Sequence, residues 1–232
     1  MKTNIVFSVL KMSIGLLCLY LIVIAFRWGV ANVYYFQANS FIDEWNYERN
    51  SLTQTSYKKA NSLIKKALYY HPDHNHYVHT YGRIMHWGVI AGVETVSNYQ
   101  DVKSIYLEAT ISRPNWSETW TDLAALNAYL YGLTDETREY IAKARATGHF
   151  TEHVMYTVSQ IYLDNWDYLS NEDTRNYLQI INDSYLKEYR LRQQLELAKD
   201  YNKDKMICGL ISSSSQANDK SIQRVSEQYC SE

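Results

Sequence analysis

ATISRPNWSETWTDLA, residues 109–124, sets an alanine five positions before a proline, a tryptophan six after that proline and a second alanine ten after it. Proline pushes the residue before it away from helical angles, so one helix ends near Arg113 and the next begins beyond Pro114. The spacing recurs on either side. Ala67 precedes Pro72 by five positions, and Ala144 precedes His149 by five, with 42 and 35 residues between successive breaks. Gly82 stands ten after Pro72 and Val78 six after it, in phase with Ala124 and Trp120. Ile64, Tyr106 and Ile141 lie eight before the three breaks. Small residues in phase let neighbouring helices approach closely, and large apolar ones fill the layer between them. The pattern therefore predicts an all-α chain of helical hairpins stacked in a short tetratricopeptide-like (TPR-like) solenoid. Such an array offers a surface for partners more than a pocket for chemistry.

Working outward, the expected helices run 54–70, 75–89, 98–112, 117–131, 135–147 and 152–169. One or two amphipathic helices follow over 174–206, with Tyr177, Ile180, Ile181, Tyr185 and Leu186 inward, as the caps that solenoid ends require. Gly132-Leu133-Thr134 is the turn of one hairpin. The first interval exceeds a common 34-residue TPR unit by about eight. The excess falls on an extended loop from Gly88 to Asn98, apolar enough to pack down or meet a partner. Ser212 to Asp219 reads as a polar, flexible tail.

At the other end, MSIGLLCLYLIVIAF (residues 12–26) is uncharged. Extended back to Ile5 across Lys11 it is long enough to cross about 30 Å of hydrocarbon as a helix, with Lys11 snorkelling to the headgroups. Arg27 and Trp28 close it as an interfacial anchor. Gly29-Val30-Ala31 would suit cleavage of a signal peptide, but Arg27 beside it and the length of the run favour a retained anchor. Lys2, Lys11 and the amino terminus precede the core, which places the amino terminus inside. The expected domains are a cytoplasmic terminus (1–4), the anchor (5–27), a juxtamembrane helix (28–53) with a stripe of Val33, Phe36, Phe41 and Trp45, the repeats (54–170), and capping helices with the tail (171–232).

Composition excludes several functions. Two prolines and 8 glycines in 232 residues are too few for a turn-rich β protein. A net charge of −2 without a basic stripe argues against nucleic acid. His71, His74, His76 and His79, with Asp73, form the densest set of metal-ligating types, but a proline turn need not converge them at zinc distance; a solvated turn explains them, and no cofactor or metal is expected. Adjacent acids such as Asp43-Glu44 and Asp135-Glu136 do not face each other on a helix; capping explains Asp135. Ser212 to Ser215 lacks a nucleophile-elbow context, so no enzyme is expected. Cys208 and Cys230 could form a disulfide worth roughly 3 kcal/mol in an oxidising compartment, or remain two thiols.

Arg113-Pro114-Asn115-Trp116, Thr119-Trp120, Leu123-Ala124, Tyr129-Leu130 and Gly132, followed by Asp135 and Gly148, resemble the signature of the VpsP-type polysaccharide biosynthesis family of bacterial membrane-anchored proteins. Ser117 stands where that family usually has proline, and His149-Phe150 where it has Pro-Trp. The resemblance implies a role in building or exporting a cell-surface polysaccharide. It implies a single-pass protein of the bacterial inner membrane with a periplasmic domain, partnered by polymerase, export or glycosyltransferase proteins. Trp116, Trp120 and Asn127 are the candidate partner-binding residues on the groove side, with a place in the core as the alternative for Trp120. A direct glycan-binding module and a glycan-modifying enzyme are the alternative readings.

Overall fold

The computed structural model describes residues 2–95, 98–214 and 219–230, and every regular element among them is helical. The chain divides into two compact units, residues 1–113 and 114–232. The division falls at Pro114, inside the stretch expected to form one run of repeats.

The first unit begins with α1 (Lys2–Tyr47), a single uninterrupted helix. Phe7, Leu10, Leu16, Leu21 and Phe26 are exposed. Among the described residues α1 is the helix long and apolar enough to cross a membrane. From Ala31 the same helix changes character and buries Ala31, Ala38, Ile42 and Trp45 completely. The intervals of seven, four and three residues lay these side chains along one face. This corrects the expected stripe. Trp45 belongs to the buried face and Phe41 packs beside it, but Val33 and Phe36 are more than half exposed. Aromatic content alone pointed to the wrong side of the helix.

A short 3₁₀ turn (Arg49–Ser51) follows, and α2 (Gln54–Tyr70) returns antiparallel along α1. A capping box opens α2: the Ser56 N–H donates to Thr53 Oγ1 at 3.1 Å and the Thr53 N–H donates to Ser56 Oγ at 2.9 Å. Helices α3 (Asn75–Ile90) and α4 (Tyr99–Ser112) complete the unit. Gly82 explains the close α3–α4 approach, since a Cβ there would stand 2.7 Å from the Tyr106 ring. Gly88 lies against the ring of Tyr57 in the same way. Residues 88–90 are the last turn of α3 and not part of a loop, so the connection starts at Ala91, with Gly92 at φ +67°. Residues 96 and 97 of the expected loop lie outside the described ones.

The second unit pairs α5 (Ser117–Tyr131) with α6 (Asp135–Gly148) across Gly132, whose φ of +73° is costly for any other residue. Then come α7 (Glu152–Asp164), a 3₁₀ turn (Trp166–Tyr168) and α8 (Asn171–Ser184). Helices α9 (Glu188–Asp200), α10 (Asp204–Ser213) and α11 (Lys220–Tyr229) close the chain. The 174–206 stretch thus belongs to three helices, not one or two. Leu186 is exposed because it falls in the α8–α9 turn, while Tyr177, Ile180, Ile181 and Tyr185 are buried. The tail is shorter than expected: Ser212 and Ser213 finish α10, Asp219 caps α11, and residues 215–218 lie outside the described ones.

In both units the phased residues form the core, except Val78, which is half-buried. Ala67, Ala109 and Ala144 are fully or almost fully buried, as are Ile64, Tyr106 and Ile141. The phase continues one layer further than the sequence reading took it. Met155 and Ser159 sit six and ten after His149, and both are buried.

Candidate functional site

Trp120 and Asn127 are hairpin-interior residues. The Trp120 indole N–H donates to the Pro114 carbonyl at 2.7 Å, its ring stacks on Tyr140, and Lys143 Nζ stands 4.5 Å from its centroid. Asn127 is 1% exposed; its amide donates to Thr137 Oγ1 at 2.9 Å and Thr134 Oγ1 at 3.2 Å, tying α5 to the start of α6. Trp120 thus takes the core alternative, and burial removes Asn127 from the groove. Trp116 is the half-buried residue that precedes α5. Cys208 and Cys230 are bonded, with Cα atoms 5.6 Å apart, and fasten α10 to the end of α11.

The histidines divide into two groups. His79 is buried and faces Tyr106. His71, His74 and His76 gather at the α2–α3 turn. There His71 stacks on Trp28 of α1 at 5.0 Å, His74 stacks on Tyr77 at 4.0 Å, and His76 Nε2 lies 3.0 Å from the Arg113 guanidinium. Burial, then the neighbouring His71, His76 and Arg113, lower the pKa of His74 below the ordinary imidazole value. Among the described residues no group of three or more His, Cys, Asp or Glu side chains is arranged to hold a metal ion. The rings of this turn join α1 to the first hairpin at the level of Trp28.

A concavity of the first unit lies elsewhere, along the outer face of α2. It holds about 570 Å³ and is lined by Lys58, Asn61, Lys65, Lys66, Tyr69 and Glu94 among others. Helical spacing puts residues 54, 58, 61, 65 and 69 on one face, and the segment after α3 folds back to form the opposite wall. The Val93 and Glu94 N–H groups donate to the Gly88 carbonyl at 2.9 and 3.0 Å. Glu94 is then fixed from two sides. Tyr57 Oη donates to Glu94 Oε1 at 2.7 Å, and Asn98 Nδ2 donates to Glu94 Oε2 at 2.7 Å. Burial first, and then this bond to a carboxylate, raise the Tyr57 pKa far above the phenol range, so Tyr57 stays a neutral donor. Asn61 Nδ2 donates to Tyr57 Oη at 3.2 Å, whereas Asn61 Oδ1 is buried without a hydrogen-bond partner.

Charge distinguishes this face. Helix α2 carries four lysines and no acid. Lys59 lies over Phe41, Lys65 over Tyr81 and Lys66 over Tyr34, at 5.4–5.6 Å from the ring centroids. None of the four makes an ion pair among the described residues. By contrast Arg138 in the second unit is held bidentately by Asp173, with Nε to Oδ1 and Nη2 to Oδ2 both at 3.0 Å. The sequence reading passed over the α2 lysines. Their signal was present in the doubled Lys58-Lys59 and Lys65-Lys66, seven residues apart with no acid between them.

No protein-family model and no curated protein matches this chain. Among solved structures the chain is similar to one described as "Functional Characterization of Pseudomonas Aeruginosa pilF", at 15% identity and a TM-score of 0.46, covering 87% of this chain and 99% of that one.

Proposed function

We propose that this protein is a membrane-anchored helical scaffold, and that it holds a protein of a cell-surface polysaccharide polymerisation or export apparatus on its solvent side. The observation that carries the scaffold reading is the continuity of α1. One helix has an apolar stretch exposed on every side and then, without a break, a face fully buried under α2. With no hinge between them, the first hairpin is held at a fixed height and angle to the span. That geometry suits a protein that positions something beside a membrane. The resemblance of residues 113–148 to the VpsP-type family supports the polysaccharide process. An oxidising compartment suits the Cys208–Cys230 bond, and supports an amino terminus in the cytoplasm with the helical units in the periplasm of a bacterial inner membrane.

The test is chemical crosslinking in native membranes followed by affinity recovery of the tagged full chain. The scaffold reading expects a defined second protein, encoded near or acting with glycosyltransferase or polymerase components. Recovery of the tagged protein alone counts against it.

A further inference from the structure

The lysine face of α2 is the strongest unexplained feature of the molecule. Four cations share one helix with no carboxylate of that helix to offset them, and three of them lie over aromatic rings. Glu94, the one acid lining the cleft, has both oxygens engaged by Tyr57 and Asn98. Those neutral donors leave Glu94 its charge, but Lys58, Lys65 and Lys66 outnumber it along the cleft, so a complementary ligand brings negative charge.

Three kinds of ligand supply negative charge: a lipid surface, an acidic polysaccharide and an acidic protein segment. Height sets the far half of the cleft, around Lys58, beyond a lipid surface. Lys66 sits beside Tyr34 and Lys59 beside Phe41, six and thirteen residues beyond the interfacial Trp28. At 1.5 Å per residue these levels stand about 9 and 20 Å above Trp28. A Debye length of about 8–10 Å screens the farther lysines from headgroups. A helical occupant matches the cleft in shape: one face of α2 lines it, with Lys58 and Lys65 two turns apart, about 10 Å, so a helix lying along it meets these lysines at its own two-turn interval. The lining runs from Gln54 to Tyr69, about 22 Å, the length of a four-turn segment.

We infer that the cleft formed by Lys58, Asn61, Lys65 and Lys66 with Glu94 is the docking site for an acidic helical segment of a partner protein. The inference deepens the scaffold reading and rests on it for its biological sense, but its test does not depend on recovering the natural partner.

The experiment uses the full chain in detergent micelles and a fluorescein-labelled alanine-based helix with glutamates at two-turn intervals on one face, read by anisotropy. A matched helix with lysines in those positions and a glucuronate oligosaccharide are the comparisons. The glutamate helix binds, the lysine helix does not, and the double reversal Lys58→Glu with Lys65→Glu weakens glutamate-helix binding about tenfold or more. The lysine helix then gains affinity for the reversed protein. Both lysines are exposed, so far-UV circular dichroism of the variant stays unchanged. Equal binding of the two helices to the native protein overturns the inference. So does tighter binding of the oligosaccharide that is lost in the same variant, which assigns the cleft to a glycan. In native membranes, a partner whose recovery is unaffected by the double reversal refutes the cleft and leaves the scaffold standing. Absence of any partner refutes the scaffold, while the titration still decides the cleft.

Discussion

Replacing Gly82 by alanine separates a packing requirement from a helix preference. In an open helical position this change stabilises by roughly 1 kcal/mol, because glycine has the greater freedom to lose. At position 82 the new methyl would stand 2.7 and 2.8 Å from Tyr106 Cε1 and Cδ1 and 3.2 Å from Ile105 Cγ2. Ordinary carbon contacts lie near 3.5–4.0 Å, so the ring must retreat by about 1 Å. Tyr106 is completely buried and has no solvent to move into. Overpacking of this kind costs about 1–3 kcal/mol. Gly209 in α10 is the internal standard, since nothing lies within 4 Å of a Cβ built there. The helix term is common to both changes, so Gly82→Ala should come out about 1–3 kcal/mol less stable than Gly209→Ala, each referred to the native chain by denaturant unfolding in micelles. Pairing Gly82→Ala with Tyr106→Leu should recover more than half of the deficit, because contacting residues couple. Equal effects at 82 and 209, or no coupling to position 106, would refute the proposed close approach of α3 and α4.

Asn127→Ala should destabilise the second unit by about 1–3 kcal/mol, since the buried Thr137 hydroxyl and the half-buried Thr134 hydroxyl lose their amide donor, and urea unfolding followed by tryptophan fluorescence reads it. Reducing the Cys208–Cys230 bond, which spans a separation of 22 residues, should remove roughly 3 kcal/mol in the chain-entropy account, measured as the shift in the unfolding midpoint with and without reductant. Trp45→Ala should cost about 3–5 kcal/mol and loosen α1 from α2, seen as faster amide exchange over residues 31–47. For Asp173, burial pushes the pKa up, but the hydrogen bonds from Arg138 and Ser170 outweigh it and hold the carboxyl below its usual value. A depressed folded pKa gives stability that is present above the unfolded carboxylate pKa and lost as pH falls through the folded one. The second unit should therefore lose stability below about pH 4, with a shallower acid slope in Asp173→Asn.

The helices were legible because their boundaries are chemical. His71-Pro72, Arg113-Pro114 and Gly132 each stop a helix by a local backbone constraint, and Thr53 and Thr134 start one by accepting N–H bonds. The phased alanines and Gly82 revealed which faces touch. Two things were not legible. The buried face of α1 runs through Ala31 and Ala38, small residues with little hydrophobic weight, so the larger Val33 and Phe36 drew the stripe to the exposed side. Two of the three candidate site residues are buried for a related reason. Tryptophan and asparagine suit a binding groove, yet Trp120 and Asn127 satisfy their own N–H groups within one hairpin. The doubled α2 lysines are visible in the sequence, but only the fold shows that no carboxylate among the described residues pairs with them.

The most direct test of an anchored scaffold with its working face on α2 is a photo-crosslinking scan of the full chain in native membranes, with a photoreactive residue placed singly at each position from 54 to 69. The account predicts adducts to one partner protein that recur at 54, 58, 61, 65 and 69 and are weak at the buried positions 57, 60, 64 and 67. Adducts only to the protein itself, or adducts without helical periodicity along α2, would contradict it.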